Sequence, residues 1–184
     1  TGNVAQSSPF LGAGALYIEE SNARVEGCLG FDNQAALGGG FLVSMAAEPY
    51  LRNVTLSGNA GTAVVLSLYG SYVVFENSVI AFNEARSVDC DASIEMACSD
   101  VYGNTGGDWV GCIASQSGVD GNFSSDPLFC GPSDDDYRLR SDSPCSPAGK
   151  CGLVGALDVG CGPVPIREVS WGALKRRYKA SPAP

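Results

Sequence analysis

The chain has no histidine among its 184 residues. That absence excludes Ser-His-Asp and Cys-His nucleophile chemistry and any histidine-ligated metal. Basic residues are few. Eleven Lys and Arg stand against 20 Asp and Glu, giving a net charge of −9 and a pI near 4.3. Nucleic acids and anionic membranes both need basic patches, so neither is expected as a partner. No apolar run is long enough to span a bilayer and no signal peptide is visible, so no membrane insertion is expected. Charged residues make up only 17% and mean hydropathy is +0.06, which is not the composition of a disordered chain.

Cys-x-x-Cys pairs are also missing, yet there are eight cysteines. Seven of them lie after residue 89: Cys90, Cys98, Cys112, Cys130, Cys145, Cys151 and Cys161. An even count without histidine argues for disulfides and against zinc. The expected location is therefore oxidising: periplasm, cell surface or outside the cell. Local spacing suggests pairing Cys90 with Cys98, Cys112 with Cys130, and Cys145 with Cys151. Cys28 falls on an inward column of the repeat described below and is expected as a buried free thiol.

What the chain does have is a repeat across residues 14–104. Four segments close on asparagine, at Asn33, Asn59, Asn83 and Asn104, spaced 26, 24 and 21 residues apart. A period in the twenties is the mark of a solenoid. Before each closing Asn, Ala23/Val25, Pro49/Leu51, Val73/Phe75 and Ile94/Met96 alternate with more polar residues, as in a strand with one buried face. At Gly27, Asn53, Asn77 and Cys98 the alternation slips by one, which implies a corner. Beyond it Cys28/Gly30, Val54/Leu56, Ser78/Ile80 and Ser99/Val101 alternate again. A third run starts at Leu16, Phe41, Val64 and Ser87.

Three short strands per turn predict an all-β, right-handed parallel β-helix. Turns must stack to bury their inner faces. Stacking would align the four asparagines as a ladder at one corner. It would also place Glu26, Arg52 and Glu76 side by side with alternating sign.

Residues 105–161 break the period and are rich in cysteine and turns, as expected of a C-terminal cap on a solenoid. The run Asp126-Pro127-Leu128-Phe129, Tyr137-Arg138-Leu139, Ser143-Pro144 and Val154-Gly155-Ala156 resembles the closing module of bacterial secreted β-helix repeat proteins. The preceding turns resemble the pectin-lyase-like superfamily, especially surface proteins with polymorphic-outer-membrane-protein-type repeats. The resemblance spans about residues 1–161. It implies a β-helix but leaves function open, because that superfamily holds polysaccharide lyases and hydrolases, adhesins and structural surface proteins.

The divisions expected are 1–104 for the coils, with an incomplete first turn, 105–161 for the cap, and 162–184 for a tail. The opening Thr1-Gly2-Asn3 is similar to Ser57-Gly58-Asn59, so a mature product or a fragment of a longer chain is expected. In the tail, Trp171, Leu174 and Tyr178 share one face of a short basic helix. That face would dock on the cap or serve as an interaction tail.

Polysaccharide cleavage on such a fold would need paired carboxylates ~5–9 Å apart. Asp89, Asp91, Glu95 and Asp100 cluster in sequence near Arg86, with Asp89 and Asp91 on one strand face ~7 Å apart. The plain reading is solvated loop acids beside a disulfide, and no catalytic residue is assigned. Asp134, Asp135 and Asp136 are calcium candidates by their oxygen ligands, although adjacent acids in a turn are more often solvated. No other cofactor is expected. Asn53 and Asn122 head glycosylation sequons. Tyr50, Tyr69, Tyr72 and Trp109 are the candidate sugar-stacking aromatics. The function expected is an extracellular structural or adhesive β-helix that is not an enzyme and self-associates head to tail into filaments. The alternative is a module that binds or cleaves polysaccharide.

Overall fold

The computed structural model describes residues 1–5, 12–35, 38–91 and 93–161. The tail helix with Trp171, Leu174 and Tyr178 lies outside the described residues. The chain forms a parallel β-solenoid of about six turns, as the repeat predicts.

Three parallel sheets form the walls. The first stacks Leu16–Glu19, Gly38–Met45, Ala63–Leu68 and Arg86–Cys90, with Gly12–Ala13 also paired to Gly38–Met45. The second stacks Arg24–Glu26, Tyr50–Arg52, Tyr72–Glu76 and Ser93–Ala97. The third stacks Leu29–Phe31, Thr55–Ser57, Val79–Ala81 and Asp100–Tyr102. In-register pairing builds the core as columns. Leu16, Leu42, Val65 and Val88 line one wall. Val25, Leu51, Phe75 and Met96 line the second. Gly30, Leu56, Ile80 and Val101 line the third. Among these, Leu42, Leu51, Leu56, Val65, Phe75, Ile80 and Val101 are fully buried.

Each wall ends in a residue with positive φ. Glu20, Ala46 and Tyr69 close the first wall, with φ between 45 and 55°. Gly27, Asn53, Asn77 and Cys98 close the second, at 60, 49, 49 and 47°. Asp32, Gly58, Phe82 and Gly103 close the third, at 53, 65, 57 and 68°. A left-handed residue re-aims the chain sharply within one residue, which is why the apolar alternation slips where it does. Glu26, Arg52 and Glu76 do lie opposite one another on consecutive turns. The ion pair that forms there runs along a strand instead, from Arg24 to Glu26 at 2.7 Å.

The Asn ladder runs the length of the coil. Nδ2 of Asn3, Asn33, Asn59 and Asn83 each donates to Oδ1 of the next Asn, at 2.9, 2.9, 3.0 and 2.7 Å. The backbone N–H of Asn33, Asn59 and Asn83 donates to the same oxygens at 2.9–3.2 Å. Asn33, Asn59, Asn83 and Asn104 are all buried. A second polar ladder rises at the corner between the second and third walls. Val54 N–H donates to Ser78 Oγ, Ser78 N–H to Ser99 Oγ, and Ser99 N–H to Asn122 Oδ1.

The segment expected as one cap divides into two parts. Residues 105–124 close the end of the coil. The 3-10 helix Gly111–Gln116 lies across it and buries Ile113 in the main core. Gln116 stands in for a strand, accepting Met96 N–H at Oε1 and donating to Ile94 O, both at 2.8 Å. Phe123 bridges to Asp100 in the same way.

Residues 125–161 turn back along the side. Their small sheet, Phe129–Gly131, Asp136–Arg140 and Val159–Cys161, belongs to a second apolar cluster with Phe31, Val79 and Ala81. Ring centroids of Phe31 and Tyr137 lie 4.9 Å apart. The third wall is therefore buried on both faces. Its outward residues Thr55, Ser57, Val79, Ala81 and Asp100 are all buried, where the second wall carries Arg, Glu and Tyr.

Candidate functional site

Burial of the third wall leaves the outer face of the second as a solvent-facing wall with ordered side chains. Arg24 places its guanidinium 4.7 Å from the ring centroid of Tyr50. The hydroxyl of Tyr50 donates to Glu76, one turn on, and that of Tyr72 donates to Glu95, one turn beyond its own. The bond to Glu76 and burial raise the Tyr50 hydroxyl above its ordinary range. These bonds tie each ring to the next turn, with Tyr50 half-buried and Tyr72 exposed. Tyr69 sits at the neighbouring corner and is 66% exposed. Trp109, expected among these aromatics, is instead half-buried against the core, with Nε1 donating to Phe123 O at 3.2 Å.

The acids expected to cluster do not meet. Asp89, on the first wall, pairs with Arg86 at 3.5 Å. Asp91, at the following corner, accepts the Tyr69 N–H at 2.9 Å. Glu95, on the second wall, holds Tyr72. Asp100, on the third wall, is fully buried beneath the cap. Twelve residues of sequence carry the chain past two corners, so neighbours in sequence face different directions.

Asp100 has an unusual setting. Its Oδ1 accepts the Ser125 N–H at 3.0 Å, and its Oδ2 lies 3.4 Å from Cys145 Sγ. Burial, with some help from the charges of Asp108 and Asp126, pushes its carboxyl up to about 7. Burial likewise pushes the Cys145 thiol well above its usual range, and the neighbouring Asp100 adds to this. An inert buried thiol is the consequence.

The calcium candidates do not converge. Asp136 is held by Arg138 through two hydrogen bonds of 2.8 and 2.6 Å. Asp134 ends a 3-10 turn and Asp135 takes a positive φ after it. Among the described residues no group of three acids, cysteines or histidines is placed to hold a metal ion.

The cysteine pairings differ from the local ones expected. The bonds are Cys90 with Cys112, Cys98 with Cys151, and Cys130 with Cys161. Cys90 and Cys98 sit on one turn but on different sides of the coil. Each bonds to the segment that passes beside it, so a separation of 22 or 53 residues succeeds where 8 fails. Cys145 and Cys28 are both free. Cys28 is exposed, contrary to the buried thiol expected. The equivalent Val54, Ser78 and Ser99 are buried between turns. Cys28 belongs to the first turn, where the described residues supply a neighbour on one side.

The sequon asparagines are engaged. Asn122 is buried, and its Nδ2 donates to Met96 O at 2.7 Å, which leaves no room for a glycan. Asn53 donates Nδ2 to Leu153 O and Gly155 O, and Asn77 donates to Cys151 O and Leu153 O. This pair tethers residues 151–156, which run along the corner from the Cys98–Cys151 bond. Gly155 must be glycine there: a Cβ would lie 2.8 Å from Thr55 Oγ1 and 3.1 Å from Val79.

Comparison with known proteins finds no matching family model, no matching curated protein and no matching solved structure. Fold and site together define the class as a disulfide-stapled parallel β-solenoid. The disulfides are consistent with an extracellular environment. Among the described residues no helix is long and apolar enough to cross a membrane.

Proposed function

We propose that this chain is an extracellular structural or adhesive β-solenoid that works without catalysis. One observation carries the reading. The four acids nearest to a catalytic cluster are spread over different sides of the coil, and each already has a structural task. Paired-carboxylate chemistry needs two acids facing one bond. The stacked coil agrees with the resemblance to pectin-lyase-like secreted repeat proteins, at the level of fold, and a fold hosts many functions. Turnover assays on pectin-type and alginate-type polysaccharides test the reading. No cleavage is expected, and cleavage abolished in Asp91→Asn would overturn it.

A second reading follows from the outer face of the second wall. Tyr50 and Tyr72, pre-ordered by Glu76 and Glu95, suit a polysaccharide lying across the strands, since rigid amphipathic rings bind at low entropic cost. A glycan array on wild type and on the Tyr50→Ala, Tyr72→Ala double variant decides it. Binding that survives loss of both rings would remove that face from consideration.

The head-to-tail filament requires a free strand edge at both ends. At the C-terminal end Gln116 and Phe123 occupy the edge. Self-association is therefore proposed without strand pairing onto that end.

A further inference from the structure

The Cys98–Cys151 bond borders a cavity of about 310 Å³ that lies between residues 118–123, at the closed end of the coil, and residues 144–151, in the segment returning along its side. Three features open the bond to chemistry from that cavity. First, Gly121 faces both sulfurs. A Cβ on it would lie 2.8 Å from Cys98 Sγ and 2.9 Å from Cys151 Sγ, so any other residue would put a side chain over the bond. Second, Cys151 itself lines the cavity, beside the apolar walls made by Phe123 and Pro144. Third, the charge at the rim is positive. Lys150 is exposed there, and among the described residues it is the one lysine and takes part in no ion pair. No carboxylate lines the cavity.

The other two disulfides have the opposite surroundings. Cys90 stands between Asp89 and Asp91, of which Arg86 pairs with Asp89 alone. Next to Cys130, a Cβ on Gly131 would lie 3.8 Å from Asp134 Oδ2. The nucleophile that opens a disulfide is a thiolate, which is an anion. Acids beside a disulfide repel it, and a cation beside a disulfide attracts it.

We propose that Cys98–Cys151 is a reducible latch, opened by a small thiol that carries a carboxylate. The thiol enters the cavity with its carboxylate toward Lys150 and its carbon stem against Phe123 and Pro144. Its thiolate attacks Cys151 Sγ. A mixed disulfide forms on Cys151, and Cys98 leaves as a thiolate that takes a proton from water. A second thiolate attacks the small-molecule sulfur of the mixed disulfide and frees Cys151, which is protonated in turn. Two small thiols are oxidised to their disulfide, and the Cys98–Cys151 bond is reduced by two electrons. Residues 151–156 are then held to the corner by the amides of Asn53 and Asn77 with no covalent bond. The inference is independent of whether the second wall binds a glycan.

Reduction of the full chain by two simple thiols tests it. Mercaptoacetate carries a carboxylate and 2-aminoethanethiol an ammonium. Each is added at the same thiolate concentration, the reaction is quenched with acid, and peptides are mapped by mass spectrometry. Cys98–Cys151 should open first, with the early mixed disulfide on Cys151. Mercaptoacetate should open it about threefold or more faster than the cationic thiol, and added salt should narrow the gap. Lys150→Gln should remove the preference and Lys150→Glu should reverse it. Hydrogen exchange at Gly155 and Ala156 should rise as this bond opens, while the other two remain closed. Earlier opening of either other bond would overturn the proposal. So would a first mixed disulfide on Cys98, a charge preference unmoved in both Lys150 variants, or a Cys98–Cys151 bond that opens only when the chain unfolds.

Discussion

Asn104 ends the amide ladder on a carboxylate, its Nδ2 donating to Oδ1 of Asp108 at 2.8 Å. The same oxygen accepts the Asn104 N–H at 2.8 Å, and Oδ2 accepts the Gly103 N–H at 3.0 Å. Asp108 thus repeats the geometry of one more asparagine, with a charge at the end of a chain of polarised amides. Hydrogen bonds to charged groups are the stronger ones.

Removing an interior rung should nevertheless cost more than removing the charged end, because the interior rung is buried and its partners cannot turn to water. Asn83 accepts two bonds from Asn59 and donates to Leu56 O, Ala81 O and Asn104. Asn83→Ala leaves those groups buried and unpaired. The expected loss is about 2–5 kcal/mol in urea unfolding. Asp108→Ala, at a wetter site, should cost about 1–2 kcal/mol, and Asp108→Asn less, since it keeps the acceptor. Equal losses at both positions would mean that burial does not set the cost of a rung.

Asp100 should make the fold weaken as pH rises through the neutral range. Its folded carboxyl titrates near 7 because it is buried, whereas the unfolded value is about 3.9. Between about pH 4 and 7 the folded state then binds the extra proton. Stability is greatest below that window and falls across it, by at most about 1.4 kcal/mol per pH unit. Asp100→Asn keeps an acceptor for the Ser125 N–H and cannot ionise. Unfolding curves at pH 4.5 and pH 8 should separate the two proteins, with the variant showing the flatter profile.

Thiol chemistry should distinguish the two free cysteines. A small alkylating reagent should label Cys28 alone in the folded protein. Cys145, buried against Asp100, should label only after unfolding. Peptide mapping without reductant should recover Cys90 with Cys112, Cys98 with Cys151, and Cys130 with Cys161.

The Cys98–Cys151 bond should govern residues 151–156 rather than the coil. It closes a loop of 53 residues, and its loss in Cys98→Ser, Cys151→Ser should cost roughly 2–4 kcal/mol. Hydrogen exchange should rise first at the Gly155 and Ala156 amides, which donate to Asn77 O and Thr55 Oγ1. The amides of Leu56 and Ile80, in the middle of the stack, should stay protected.

Much of the coil was legible because its rules are local and repeated. A closing Asn every 21 to 26 residues forecast the ladder, and the slip at Gly27, Asn53, Asn77 and Cys98 forecast the corner. The covering of the third wall also has a signal in the sequence. Outward positions of the third wall read Leu29, Phe31, Thr55, Ser57, Val79 and Ala81, with almost no charge, and that is the composition of a covered face. Asp100 sits in that series and so had to be buried. Asn122 heads a sequon in the sequence but is the last rung of the second ladder in the fold. Its tripeptide was visible, but the partner N–H of Ser99 was not.

By itself the sequence determined the period, the three walls and the inward columns, because side-chain alternation and left-handed corners act within a few residues. Only the tertiary structure decided which cysteines bond, which end is closed and which wall is covered. Those outcomes depend on where residues 105–161 return against the stack, and a return path is set by distances across turns rather than along the chain.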